Sequence, residues 1–453
     1  MKNLNEITIL ELVIMLRNKT ISAKELVQHY VNRINLLDKG DNGLNSVLEI
    51  NPEAFEIAER MDERGFKGAG MLAGIPILIK DNINTADQMH TSAGSYALAD
   101  SFATADAELV KILRSRGAVL LGKTNMTEFA NYMTQDMPSG YSSRGGQVKS
   151  PYKKTENPSG SSSGSAVAAA ANLCVAAIGT DTCNSIIAPG LKNGLVGFRP
   201  GMGAISSQGI VPISFTLDTA GPMTRTVTDA AILYSELTNT QLNISNIMDL
   251  NGITIGINEW GKDVMTEEEV QKTDGIIKEL ESAGANIKRI EIPATKNVKT
   301  LMKYEFKYAM NRYLSELPKE FKVRNLDDII SFNKNHPDIT LRYGQTYLID
   351  AQENTSGNLS EAVYQDILKD REITNKEIRN QLRNIDFCIM LIGTNIIHYT
   401  GLPSITVPCG LYKSGMPFGI LLTAKTDGEL LKYAYAVEMI VGQRVEPVVT
   451  VQP

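Results

Sequence analysis

Apolar positions along this chain change period from segment to segment. Near the N-terminus Leu26, Val27, Tyr30, Ile34 and Leu37 recur at the spacing that lines one face of an α-helix. Two Ser/Thr-x-x-Glu sequences, Thr8-Ile-Leu-Glu11 and Ser22-Ala-Lys-Glu25, precede such positions. In this pattern the cap hydroxyl and the later carboxylate satisfy amide donors that a first helical turn leaves exposed. Residues 1–60 are therefore predicted to be helical. Residues 72–83, LAGIPILIKDNI, read as a buried strand ending in a charged pair. An amphipathic helix over Asp106–Ser115 leads into the strand-like AVLLG. From Gly252 the order is strand (ITIGI), helix (266–283) and strand (NIKRIEI). That alternation is βαβ in kind and predicts an α/β fold, a single large domain with a mixed central β-sheet covered by helices. Residues 300–385 read as a polar, mostly helical insertion, and residues 385–449 as a return to apolar strands punctuated by Gly and Pro.

One segment departs from both periods. Between Ser159 and Pro189 the chain reads SGSSSGSAVAAAANLCVAAIGTDTCNSIIAP, two serine clusters bracketing a run of small apolar residues. The run is predicted to be one buried element, and serines at its two ends can converge on one point, as nucleophilic catalysis requires. Consecutive amides in the turn GTDTCNS can also point at one spot and form an oxyanion hole. Lys80 is the odd residue in LAGIPILIK: a solvent-reaching lysine at a strand end, or a desolvated amine whose lowered pKa suits a general base.

Composition narrows the class. The chain has 453 residues, 43% hydrophobic and 21% charged, enough for a large core. A net charge of −6 leaves no basic footprint, which argues against nucleic acid or an anionic membrane as partner. Cys174, Cys183, Cys388 and Cys409 are scattered, and His29, His90, His336 and His398 are isolated. They suggest neither a disulfide framework nor a metal site. The N-terminus carries acids too early for a signal peptide, and the apolar run Ala166–Ile178 is too short to span a bilayer, so a cytoplasmic location is expected.

Two short motifs fail on context. Gly117–Thr124 matches GxxxxGK[ST], but its intervening residues are Ala, Val, Leu and Leu, which favour a strand over a phosphate-cradling loop. Gly160–Gly164 matches the nucleophile elbow GxSxG, but a Pro-rich polar loop precedes it and His398 is the only plausible base.

Longer stretches decide the matter. GIPILIKDNI around Lys80, GKTNMTEFA at 122–130, the GSSSGS cluster, GTDTCNSIIAP, residues 194–231 and GLPSITVPCG at 401–410 together resemble the amidase signature family. The likeness is dense over residues 5–235, and NYMTQDMPSGYSSRGGQVKSPY is most similar to the peptide amidase branch. The resemblance implies the amidase signature fold, with a catalytic core over 72–235 and a substrate pocket drawn from 300–385. It also implies a Ser–cisSer–Lys triad, with Ser185 as nucleophile, Ser161 on a cis peptide bond as proton relay and Lys80 as terminal base. Backbone amides of Thr182, Cys183, Asn184 and Ser185 are implied as the oxyanion hole, with no cofactor and no metal. The implied activity is hydrolysis of a linear carboxamide, with a peptide C-terminal amide as candidate, through a Ser185 acyl-enzyme. This chain departs from the family where Cys183-Asn184 replaces the usual Gly-Gly and Ile187 the common Arg. Asn tolerates the left-handed backbone that such a turn needs. The Ile187 replacement leans away from the alternative, an A-type subunit of a glutamine amidotransferase. A further alternative is a non-hydrolytic or biosynthetic relative with the same fold.

Overall fold

Eleven strands join in one mixed sheet. From one edge to the other they are Val47–Ile50, Val119–Thr124, Pro76–Lys80, Ala176–Asp181, Thr219–Thr224, Val196–Arg199, Ser404–Leu411, Pro417–Ala424, Phe387–Met390, Thr254–Asn258 and Asn286–Ile290. The computed structural model describes residues 4–242, 244, 249–393 and 395–449. Pro76–Lys80 runs parallel to both of its neighbours, Val119–Thr124 and Ala176–Asp181. Their C-terminal ends therefore open on one side of the sheet, where α/β folds place their ligands.

Both capping boxes form, with Thr8 opening the helix Ile9–Arg17 and Ser22 opening Ala23–Leu37. The chain read as helical also holds Val47–Ile50, a four-residue edge strand too short to show a period. The C-terminal stretch differs likewise. Asp427–Val441 is a helix capped by Thr426, and its buried Leu430, Leu431, Ala434 and Val437 keep helical spacing. Val119–Thr124 is a fully buried strand, and Lys123 Nζ donates to Ile83 O (2.6 Å) and Thr91 Oγ1 (2.8 Å). The GxxxxGK[ST] match therefore cradles no phosphate.

The run after the first serine cluster is two elements. Ser163–Ala170 is a helix with every residue buried, and Ala176–Asp181 is a central strand returning beside it. Asn172, in the turn between them, has φ +56°. Small side chains let this helix press into the sheet; a Cβ on Gly164 would lie 2.3 Å from the carbonyl oxygens of Ser46 and Asn125. Residues 297–381 are largely helical, beginning with Asn297–Ser315 and ending with Ala362–Gln381. They pack a second apolar cluster, in which Phe306, Met310 and Leu314 meet Phe129, Met133 and Val211. No helix among the described residues is long and apolar enough to cross a membrane.

Candidate active site

The fold-back brings the serine clusters together. Helix Ser163–Ala170 runs away from the first cluster and strand Ala176–Asp181 returns to it, so the helix N-terminus lies beside the strand's C-terminal turn. Ser162 N donates to Ser185 O (3.2 Å), and Ser162 Oγ donates to Thr180 O (2.9 Å). The Gly160–Ser161 peptide bond is cis, and Thr127 N holds the Ser161 carbonyl at 3.1 Å. Lys80 enters from the neighbouring parallel strand, whose register pairs Ile79 with Ile178 and so carries Lys80 to the level of the turn. Its Nζ lies 2.7 Å from Ser161 Oγ, 3.0 Å from Ser162 Oγ, 2.9 Å from Thr180 Oγ1 and 3.2 Å from Thr180 O.

Counting protons narrows the roles of these contacts. A neutral amine has two N–H donors and one lone pair. The Thr180 carbonyl can only accept, and Ser162 Oγ already spends its proton on that carbonyl. Both N–H groups are thereby taken, which leaves Ser161 Oγ (2.7 Å) and Thr180 Oγ1 (2.9 Å) on the lone-pair side, with Ser161 Oγ the nearer. Burial favours this neutral form and pushes the Lys80 pKa down to about 7, against the opposing charges of Asp181 and Asp218. Lys80, Ser161 and Ser162 are wholly buried, whereas Ser185 keeps 7% of its surface, so of these groups only Ser185 is open to an incoming molecule. Ser162, the serine of the GxSxG match, therefore lacks the exposure of a nucleophile elbow.

Three groups brace the turn that carries Ser185. Thr182 Oγ1 donates to Asp218 Oδ1 (2.6 Å), while the other oxygen of Asp218 accepts from the amides of Ile213 and Ser214. Ile186 N donates to Asp181 Oδ2 (2.6 Å), and Asn184 N donates to His398 Nδ1 (3.0 Å). Asn184 has φ +68°, a left-handed conformation that Asn adopts more readily than most residues. Among the described residues the amides of Thr182, Cys183 and Ser185 meet no protein acceptor. Of the four amides expected at the oxyanion hole, that of Asn184 is engaged by His398, and the other three are without a protein acceptor among the described residues. Burial pushes the Cys183 thiol up to about 12, so this neighbour of Ser185 stays protonated at neutral pH.

Sequence context does not mark Asp181, Asp218 or Arg199 as site residues, and it brings in His398 only as the base of the failed GxSxG match. Asp181 and Asp218 lie inside the resembling stretches, but nothing in their spacing joins them, and His398 is isolated. Arg199 is fully buried and donates to Asp181 Oδ1 (3.2 Å), Leu402 O (3.3 Å) and Leu217 O (2.9 Å). Arg199→Met should therefore cost about 3–5 kcal/mol of stability, because it leaves the Asp181 carboxylate buried without its cation. The denaturant midpoint measures this, and an unchanged midpoint would contradict the assigned role.

A cleft of about 780 Å³ is lined in part by Phe215, Tyr308, Arg312, Tyr313 and Tyr364, and by Asp218, the residue that holds Thr182 of the turn. Tyr308, Arg312 and Tyr313 belong to helix Asn297–Ser315, so the helical segment forms one wall. A hollow of similar size between the N-terminal helices, lined by Leu16, Phe66 and their neighbours, holds none of the groups described above.

Known proteins resemble this chain over nearly its whole length. The family profile described as Amidase matches residues 25–393. A probable amidase of Arabidopsis thaliana is 34% identical over 96% of this chain and 90% of its own length. The A subunit of the glutamyl-tRNA(Gln) amidotransferase of Brachyspira hyodysenteriae is 31% identical over 96% of this chain and 99% of its own. Among solved structures, the native peptide amidase of Stenotrophomonas maltophilia superposes with a TM-score of 0.88 at 34% identity, covering 98% of this chain and 99% of that one. An amidase family protein of Bacillus anthracis gives a TM-score of 0.91 at 34% identity, over 98% and 92% of the two chains. With the profile spanning most of the sheet and the whole of the serine-and-lysine site, the chain belongs to the amidase family.

Proposed function

We propose that this amidase hydrolyses a linear carboxamide through an acyl-enzyme on Ser185, with Ser161 as proton relay and Lys80 as terminal base. The observation that carries the reading is the 2.7 Å contact of a wholly buried, neutral-favouring Lys80 amine with Ser161 Oγ. Ser185 Oγ attacks the amide carbonyl and gives its proton to Ser161 Oγ, which passes its own to the Lys80 lone pair. The amides of Thr182, Cys183 and Ser185 take the charge that develops on the carbonyl oxygen. Collapse of the tetrahedral intermediate breaks the C–N bond, and the proton returns through Ser161 to the departing amine or ammonia. Water then repeats the sequence on the ester and releases the acid.

The substrate class is read from the cleft and the relatives. The cleft beside Asp218, with Phe215, Tyr308, Tyr313 and Tyr364 in its wall, offers aromatic surface of the kind that suits a peptide-like group. A peptide amidase structurally similar to this chain has been solved with the competitive inhibitor chymostatin. A C-terminally amidated peptide is therefore the substrate to test. With Lys80 near 7, kcat/KM for ammonia release should rise about tenfold per pH unit below that value and level off above it. A flat profile between pH 5 and 8 would remove Lys80 as the base. The amidotransferase alternative, supported by the Brachyspira relative, requires release of ammonia from glutamine; inert glutamine alongside a turned-over peptide amide would set it aside.

A further inference from the structure

His398 braces the turn through a backbone amide next to the oxyanion donors, and no step of the reaction uses it. It sits on the short helix Asn395–Thr400 and is 1% exposed. Its Nδ1 accepts the Asn184 amide at 3.0 Å, and its Nε2 lies 3.0 Å from Ser404 Oγ. An imidazole that accepts at Nδ1 carries its proton on Nε2, so Nε2–H donates to Ser404 and fixes the tautomer. The charged groups facing the ring are Asp181, whose Oδ1 is 3.9 Å from Nδ1, and the Arg199 guanidinium. Burial, with Arg199, pushes the His398 pKa down to about 3, so the acceptor persists across the working range.

The bond matters because of where it falls. The Asn184 N–H belongs to the Cys183–Asn184 peptide plane, and the free amides of Cys183 and Ser185 lie on either side of it. Were that plane free to rotate, both flanking donors would swing. Two residues with side chains at 183 and 184 leave a left-handed turn that backbone preference alone does not hold, since φ of +68° at Asn184 is a minor conformation for any residue but Gly. An external acceptor at this point supplies the missing constraint.

We propose that His398 is a positioning residue for the oxyanion turn: its Nδ1 anchors the Asn184 amide, locks the Cys183–Asn184 peptide plane and leaves the oxyanion to Thr182, Cys183 and Ser185. The proposal rests on Ser185 being the nucleophile, and the control below tests that separately. Three full-length variants decide it: His398→Asn, whose amide oxygen can stand where Nδ1 stands; His398→Gln, whose oxygen reaches the Nε2 side instead; and His398→Leu, which has no acceptor. Each is measured for its rate of labelling by a fluorophosphonate and for kcat and KM on an amidated peptide, with Ser185→Ala as control. Loss of one oxyanion donor costs about 10²–10³ in kcat, so displacing donors without deleting them should cost about 10–100-fold. The Leu and Gln variants should label and turn over slower by that factor with KM nearly unchanged, and the Asn variant should recover most of the rate. A role in packing alone would not separate Asn from Gln. Equal rates for these two, or labelling of the Leu variant within about twofold of wild type, would overturn the proposal. Because Asn and Gln are compared with each other, the test still decides if the Leu variant does not fold. Labelling of Ser185→Ala at the wild-type rate would overturn the nucleophile assignment itself, and the positioning role with it.

Discussion

Ser185→Ala is expected to lower kcat by about 10⁴–10⁶-fold while leaving substrate binding close to wild type, because removing a nucleophile leaves only the oxyanion donors and proximity. The size of the effect follows from the isolation of Ser185. Among the described residues its Oγ has no protein partner, and the nearby Cys183 thiol is held protonated by burial, so neither Cys183 nor the buried Ser162 can substitute. The turn itself should survive. Its braces, Thr182 to Asp218, Ile186 to Asp181 and Asn184 to His398, do not involve the Ser185 side chain, and the Ser185 carbonyl still accepts from Ser162. Ammonia release and binding of a competitive inhibitor, measured on the same preparation, separate the two quantities. A loss smaller than about tenfold would mean that the acyl group is carried elsewhere.

How much of this could be read in the chain depends on distance along it. Capped helices and buried strands are local, and Thr8, Ser22 and the 76–80 strand appear where the periodicity puts them. The convergence of Ser161 and Ser185 was legible, but its cause was not. A continuous apolar run does not reveal that it folds back, and only the polar Asn172, now seen at φ +56°, marks the turn. The braces were illegible for a different reason. Asp218 reaches the turn from the loop before strand Thr219–Thr224 and His398 from helix Asn395–Thr400, and the order of strands in the sheet bears no relation to their order in sequence. No periodicity reports which distant strand will lie alongside. The resemblance supplied candidate roles for Lys80, Ser161, Ser185 and the four turn amides, but not the hydrogen bond from Asn184 N to His398.

Lys80→Met is expected to lower the rate of acylation by about 10²–10⁴-fold, the range for loss of a general base, and to raise stability at the same time. The two effects have one origin. An amine in a wholly buried site opposes folding because its charged form must be given up or left without water, whereas Met fills a similar volume at no such cost. Ser161, Ser162 and Thr180 lose a partner, which offsets part of the gain. The sign with pH is fixed by the lowered pKa. Between about 7 and 10.5 the unfolded chain holds a proton on Lys80 that the folded chain has released, so wild-type stability gains from rising pH in that window. The Met variant lacks this term. Its advantage over wild type should therefore be largest at and below pH 7 and shrink steadily toward pH 10, while other titrating groups cancel in the difference. Lys80→Arg should be as inactive as the Met variant, since a guanidinium keeps its charge and offers Ser161 no lone pair, but less stable than wild type. Denaturant midpoints at pH 7 and pH 9.5, set beside single-turnover acylation rates, test both halves. A Met advantage that grew with pH would mean that Lys80 is charged in the folded enzyme, and a charged amine cannot be the base.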